Sequence, residues 1–223
     1  MTKQLLIQAI VKFICGLIAI AALLFIPAGT IRYTYGWIFI ALLFIPMFIA
    51  GIVMMFKNPD LLKKRLNAKE EQGEQKTVIL LSAVMFIAAF VVAGLNFRFG
   101  WFILPNWVVA IGIIVFIAAY IMFAEVLREN TYLSRTVEVQ ENQKVIDTGL
   151  YGIVRHPMYS ATLLLFLSMG IVLASPISFF ILLLYIPIIA KRMKNEEKVL
   201  ENGLSGYSDY KNRVKYRVLP PIW

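Results

Sequence analysis

Long blocks of apolar residues dominate the chain, and each of the first four is long enough to form a membrane helix. A bilayer core of about 30 Å needs roughly 20 apolar residues in a helix, because lipid cannot pair with exposed backbone groups. The pattern predicts four spans, at Leu5–Ala28, Tyr35–Phe56, Thr77–Leu95 and Trp107–Ala124.

A fifth apolar region is longer than one span. No Lys, Arg, Asp or Glu occurs between Arg155 and Lys191, a gap of 35 residues. Ser175-Pro176 lies near its middle, and proline is poorly tolerated inside a helix. We therefore predict a tight hairpin of two short helices, Met158–Ala174 and Ile177–Ala190. The fold class is then an all-α membrane protein with about six transmembrane helices, the last two forming this hairpin.

Basic residues are distributed asymmetrically along this predicted topology. Six, four and eight Lys or Arg residues occur in the segments 57–76, 128–157 and 191–223. Together with Lys3 and Lys12 these segments hold 20 of the chain's 22 basic residues, and the opposite side carries Arg32 and Arg98. Because basic loops stay in the cytoplasm, we predict a multi-pass integral membrane protein with both termini cytoplasmic, in the inner (plasma) membrane if bacterial.

Composition narrows the class further. Hydrophobic residues make up 60% of the chain and charged residues 16%, which excludes disordered, collagen-like and ordinary soluble proteins. One cysteine and one histidine exclude a disulfide framework and a His-rich metal site, so no metal is expected. We expect the cysteine, Cys15, to be buried. The net charge of +9 follows from the topology and from contact with anionic lipid headgroups, so no nucleic-acid partner is expected.

Polar residues are concentrated in two segments that flank the predicted hairpin. One is the loop Arg128–Tyr159 and the other is the tail Lys191–Trp223. The fold must bring them together at the cytoplasmic mouth of the membrane. We therefore divide the chain into membrane helices 1–4 in residues 1–127 and a catalytic region in residues 128–223.

The order of motifs in this second region resembles a known family. The sequence reads RHPxY from Arg155, then the apolar hairpin, RxxxEE from Arg192, GxxxYxxYxxRV from Gly203, and a Pro-rich aromatic end. This order is similar to that of the isoprenylcysteine carboxyl methyltransferase family. The resemblance implies an integral membrane enzyme that uses S-adenosylmethionine, with a cofactor pocket at the cytoplasmic face and a lipid-side entrance for a lipophilic or lipidated substrate.

The resemblance also assigns roles to individual positions. Arg192 matches the arginine that faces the substrate and is the expected catalytic residue. The positions expected to bind the cofactor are Gln140, Gln143, Lys144, Val145, Ile146, Tyr151, His156, Pro157, Met158, Tyr159 and Glu196. Leu150 stands where many relatives have Pro or Val, and the C-terminal end is spaced one residue longer.

Each assignment has a simpler alternative. Glu196 could pair with the cofactor's ammonium group or ribose, or could be a solvated partner of Arg192 one helical turn away. His156 could hydrogen-bond the cofactor's carboxylate, or could cap a helix. Arg192 could hold a substrate carboxylate bidentately, or could anchor the helix end like Lys191 and Lys194.

The sequence does not identify the acceptor of the methyl group. A carboxylate, with a pKa of about 3.5, is ionised at pH 7 and needs no general base. An amine or a thiol would need proton removal, for which His156 or a carboxylate is available. Isoprenylcysteine-like acids, phospholipid amines and thiols are therefore all candidate acceptors.

Two other functions compete with methyl transfer. Sterol-type reductases that use NADPH resemble this architecture, but those relatives carry RHxNY followed by Asp where this chain has Met158, Tyr159 and Ser160. The second competing hypothesis is a noncatalytic membrane protein, such as a transporter or scaffold. Transporters place ionisable groups at mid-membrane, whereas the predicted spans of this chain contain almost none.

Overall fold

The computed structural model describes residues 3–66, 73–133 and 139–223, so residues 134–138 of the predicted loop lie outside the described part. Nine α-helices, one 3-10 turn (Gly149–Gly152) and no strand occur in these ranges. The helices are α1 (Lys3–Ala28), α2 (Thr34–Lys57), α3 (Pro59–Leu66), α4 (Gly73–Phe99), α5 (Asn106–Glu129), α6 (Pro157–Val172), α7 (Pro176–Leu182), α8 (Tyr185–Gly203) and α9 (Tyr207–Arg213).

In the described part of the chain, five helical stretches are long and apolar enough to cross a membrane. They are Gln4–Ala28, Thr34–Lys57, Gln75–Phe99, Asn106–Glu129 and the combined α7–α8 stretch Pro176–Gly203. Helix α6 is apolar but has only 16 residues, or about 24 Å of length. The four predicted N-terminal spans therefore fall on helices of suitable length and composition, and each helix extends slightly beyond its predicted apolar block.

The predicted second arm, Ile177–Ala190, differs from the helices found. A turn at Leu183 and Leu184 separates α7 from α8, and α8 continues well beyond Ala190 to Gly203. The part of α8 beyond Ala190 is mostly polar. A helix that leaves the membrane can continue into water without a break, so the end of the apolar block does not mark the end of the helix. As a result α8 carries Arg192 and Glu196 on a rigid element.

Hydrogen bonds join the three helix turns at one end of the bundle. The Tyr33 hydroxyl donates to the Leu173 carbonyl at 2.7 Å, and the Leu104 N–H donates to the Ala174 carbonyl at 3.1 Å. The Tyr35 hydroxyl donates to the Asn106 side chain at 2.7 Å. The α1–α2, α4–α5 and α6–α7 turns therefore meet at this end, which also carries Arg32 and Arg98.

Helix α6 lies in close contact with α5 and α7. Gly112 of α5 faces Ile171, and a Cβ added there would come within 2.6 Å of that side chain. Gly170 of α6 faces the backbone of Phe179 in α7, where an added Cβ would lie 2.5 Å from the amide nitrogen. These glycines allow the helices to approach, and the position of α6 fixes the residues at its first turn.

The Cys15 prediction is wrong, because this side chain lies on the exposed face of α1. That face is lined by apolar side chains such as Ile7, Ile14 and Ile18, each about half exposed. Such a surface suits contact with lipid, in which a small apolar residue gains nothing from burial in protein.

Candidate active site

A cavity opens at the end of the bundle opposite the hydrogen-bonded turns. Its walls come from the segment after α5, the loop before α6, the first turn of α6, the polar half of α8, and α9. The empty space is about 870 Å³, including the open mouth.

Most of the predicted site residues are in the wall of this cavity. Ten of the twelve positions line it: Gln143, Lys144, Val145, Ile146, Tyr151, His156, Met158, Tyr159, Arg192 and Glu196. Gln140 and Pro157 do not. The Gln140 side chain donates to the Tyr132 carbonyl at 2.5 Å, and Pro157 is the first residue of α6. These two residues shape the loop and the helix start from outside the wall.

Tyr159 connects the two polar side chains that α8 contributes. Its hydroxyl donates to Glu196 Oε2 at 2.5 Å and accepts from Arg192 Nε at 2.9 Å. Arg192 and Glu196 are one turn apart on α8, whereas Tyr159 comes from α6 and is buried. A single hydroxyl therefore fixes the carboxylate and the guanidinium relative to each other.

Glu197 is the centre of a buried ionic cluster behind the cavity. Its carboxylate accepts from Arg155 Nε at 2.9 Å and from Arg217 Nη2 at 2.8 Å, and His156 Nε2 lies 3.2 Å away. The side chains of Glu197, Arg155 and His156 are each at most 6% exposed. Because an ionised carboxylate only accepts, His156 Nε2 carries the proton in this contact.

The same cluster attaches the tail to the start of α6. Arg155 Nη1 donates to the carbonyls of Val214 and Lys215 at 2.7 and 2.8 Å. The Arg155 and His156 backbone N–H groups donate to the carbonyls of Tyr216 and Arg217, both at 2.9 Å. The tail is thereby held against the segment that carries the RHPxY motif.

Tyr151 joins the 3-10 turn to both neighbouring elements. Its hydroxyl accepts from the Asn130 side chain at 2.9 Å, and its carbonyl accepts from the Tyr210 hydroxyl at 2.8 Å. Burial raises the pKa of Tyr151 to about 12, so the phenol is neutral at physiological pH. Its ring is therefore a fixed, neutral part of the cavity wall.

Tyr207 is a further member of the wall. Only 4% of the residue is exposed, and its hydroxyl has no hydrogen-bond partner among the described residues. Burial, followed by the charges of Glu197 and Glu196, raises the pKa of Tyr207 well above its ordinary value. A purely structural role for Tyr207 therefore leaves its hydroxyl unexplained.

Sequence reasoning missed Glu197, Arg155, Arg217 and Tyr207. Glu197 and Arg155 were visible as neighbours of predicted site residues, in EE and RH pairs. Helical geometry turns successive residues by about 100°, so only one of two adjacent glutamates can face the cavity. Within the described ranges, no group of three or more His, Cys, Asp or Glu side chains could hold a metal ion.

Comparison with known proteins adds an independent result. No curated protein matches the chain. The model of the isoprenylcysteine carboxyl methyltransferase (ICMT) family matches residues 108–202, from the start of α5 almost to the end of α8. The matched segment includes the RHPxY and RxxxEE motifs, while the tail motif from Gly203 lies beyond it. The match therefore confirms the likeness of this membrane-helix protein to the ICMT family, which supports a membrane methyltransferase.

Proposed function

We propose that the protein transfers a methyl group from S-adenosylmethionine to the carboxylate of a lipophilic acceptor, such as an isoprenylcysteine-like compound. The observation that carries the proposal is the arrangement of Arg192, Tyr159 and Glu196 at one wall of the cavity. It places a cation for an anionic acceptor next to a carboxylate suited to a cationic cofactor.

The side chains that line the cavity suit S-adenosylmethionine in their chemistry. The wall combines aromatic and apolar side chains, including Tyr132, Tyr151, Val145 and Leu200, which can pack on a nucleoside. Glu196 offers acceptor oxygens for an ammonium group or for ribose hydroxyls. When bound, this cofactor supplies an electrophilic methyl group on a sulfonium.

Arg192 is proposed to bind the acceptor. A guanidinium is permanently charged and matches the geometry of a carboxylate, and here its Nε is oriented by Tyr159. Lys191 and Lys194 on the same helix are exposed and suit the anchoring role expected of basic residues at a helix end. Arg192 is only partly exposed, which distinguishes it from both lysines.

The chain's contribution to the reaction would be positioning and water exclusion. A carboxylate acceptor is ionised at neutral pH, so no residue has to remove a proton before attack. Arg192 would orient the attacking oxygen, and the buried Glu197 cluster would keep the wall behind His156 rigid. Bringing two reactants into the correct geometry can supply a large part of the barrier reduction.

We also propose that the cavity faces the cytoplasm. It lies at the end opposite the turns that carry Arg32 and Arg98, and most basic residues lie on its side of the bundle. This orientation satisfies the positive-inside rule. A lipid-borne acceptor could then enter from the membrane while the soluble cofactor enters from the aqueous side.

The proposal is tested by methyl transfer with radiolabelled S-adenosylmethionine and purified protein. Three lipophilic acceptors are compared: a prenylated cysteine with a free carboxylate, phosphatidylethanolamine and an alkyl thiol. We expect labelling of the prenylated cysteine, and loss of labelling in Arg192→Lys with cofactor binding retained, because Lys cannot form the bidentate contact. Labelling of the amine or thiol instead would contradict the carboxylate assignment.

A further inference from the structure

Tyr207 has a buried hydroxyl that nothing in the described protein satisfies. The residue is 4% exposed, lines the cavity, and has no hydrogen-bond partner for its oxygen among the described residues. A buried hydroxyl without a partner costs free energy, so such a group in a cavity wall needs a reason. One such reason is that the hydroxyl binds a ligand, and the residues around Tyr207 indicate what kind of ligand group would fit.

A second tyrosine on the same helix shows that this region can satisfy such a group. Tyr210, three residues further along α9, donates its hydroxyl to the Tyr151 carbonyl at 2.8 Å. The two rings are in contact, with centroids 5.8 Å apart, and both pack with Leu204 and Val214. Tyr210 therefore stabilises the fold through its hydroxyl, whereas the Tyr207 hydroxyl makes no such contribution.

The charges around Tyr207 restrict what it could bind. Burial and then the charges of Glu197 and Glu196 raise the pKa of Tyr207, which keeps the hydroxyl protonated and able to donate. Arg155, the neighbouring cation, is already paired with Glu197 at 2.9 Å and with two tail carbonyls. An anionic group would meet two carboxylates here, so a neutral acceptor fits better.

We propose that Tyr207 is a cofactor-binding residue whose hydroxyl donates to a neutral oxygen or nitrogen acceptor on the nucleoside half of the ligand. The proposal rests on the proposed function, since it takes an adenosine derivative as the ligand. The two neighbouring carboxylates make the cofactor's own carboxylate a poorer acceptor for this hydroxyl than a neutral atom. It assigns a ligand contact to α9, which lies beyond the residues matched by the family model.

The test compares Tyr207→Phe with two matched tyrosine variants. S-adenosylhomocysteine is titrated into the purified full-length proteins, and the thermal midpoint of each ligand-free protein is measured. Tyr207→Phe should weaken binding about threefold to tenfold, the loss expected for one neutral hydrogen bond, without lowering the ligand-free midpoint. Tyr210→Phe should lower that midpoint, because it leaves the buried Tyr151 carbonyl unpaired. Tyr216→Phe, in an exposed part of the tail, should bind like wild type.

One outcome would overturn the inference while leaving the proposed function intact. It is wild-type affinity in Tyr207→Phe, whether or not the ligand-free midpoint of that variant is lowered. 5′-Methylthioadenosine lacks the amino-acid part of the cofactor. The ratio of its dissociation constants for Tyr207→Phe and wild type should equal the ratio measured with S-adenosylhomocysteine. A ratio of one for this probe would overturn the assignment to the nucleoside half. Failure of the wild-type protein to bind any adenosine derivative would instead count against the proposed function.

Discussion

Adjacent glutamates on α8 face different surroundings, and this difference determines their chemistry. Glu196 lines the cavity and accepts from Tyr159, while Glu197 is buried among Arg155, His156 and Arg217. The sequence pattern predicted one functional carboxylate at this position. It could not predict that the second one holds the tail, because that depends on which face of α8 meets the C-terminal segment.

Tyr159 shows a similar gap between sequence and structure. From the sequence, this residue could equally pack on an adenine ring or lie at the membrane interface. The structure instead places its hydroxyl between Arg192 Nε and Glu196 Oε2. Tyr159 does line the cavity, whereas its contacts depend on how α6 packs beside α8.

Tyr159→Phe removes both of these hydrogen bonds while keeping the ring. A hydrogen bond to a charged group contributes about 1.5–3 kcal/mol, and the one to Arg192 orients the residue proposed to bind the acceptor. We therefore expect kcat/KM for the acceptor to fall roughly tenfold to a hundredfold from the loss of that bond. Tyr120→Phe is the control, since that hydroxyl donates to the Leu43 carbonyl away from the cavity. Steady-state kinetics that show equal effects for the two variants would contradict a positioning role for Tyr159.

At the scale of elements, the long helices were predictable and their ends were not. Apolar blocks set where α1, α2, α4 and α5 run, because the bilayer fixes the length of a spanning helix. The turn at Leu183 and Leu184 and the continuation of α8 to Gly203 have no such signal. Both depend on contacts with other elements, in particular the packing of α7 against α4 and α6.

The Glu197 cluster holds the tail against α6 together with hydrogen bonds from Arg155 and His156 to tail carbonyls. Glu197→Gln leaves the buried guanidinium of Arg155 and the partly exposed guanidinium of Arg217 without their anion, a loss of about 3–5 kcal/mol for the buried pair. We expect the thermal midpoint in detergent to fall by roughly 6–20 °C. Glu201 is on the same helix as Glu197 and forms an exposed ion pair with Lys211 of α9. Glu201→Gln removes this pair and should change the midpoint by only about 1–2 °C. Equal midpoints for the two variants would show that the cluster does not hold the tail.

Close contact between α6 and α7 is the second element-scale requirement. Gly170→Ala would place a methyl group 2.5 Å from the Phe179 amide nitrogen and force the helices apart. Overpacking of this kind costs about 1–3 kcal/mol, so the midpoint should fall by roughly 3–10 °C.

Gly51→Ala is the matched control for this change. No atom lies within 4 Å of the added methyl group in α2, and alanine is the better helix former. We expect an unchanged or slightly higher thermal midpoint. A stable Gly170→Ala variant would show that α6 and α7 do not need this close approach.

At the scale of the whole molecule, the hydrogen-bonded turns and the cavity lie at opposite ends of the bundle. This polarity follows from the alternation of long apolar helices with short turns on one side and long polar segments on the other. The sequence predicted that the loop and the tail would meet, and ten of the twelve expected site residues do line one cavity. The ionic cluster behind the cavity was not predictable, since its members come from three distant segments.

The most direct test of the account is calorimetric titration of S-adenosylmethionine into the detergent-purified protein, with NADPH as a parallel ligand. We expect saturable binding of S-adenosylmethionine, weakened at least tenfold in Glu196→Ala by loss of a charge-assisted hydrogen bond, and no binding of NADPH. Binding of NADPH alone would contradict the account and favour a reductase. Absence of binding by either ligand, also in the presence of lipid and acceptor, would contradict the assignment of this cavity to a nucleotide cofactor.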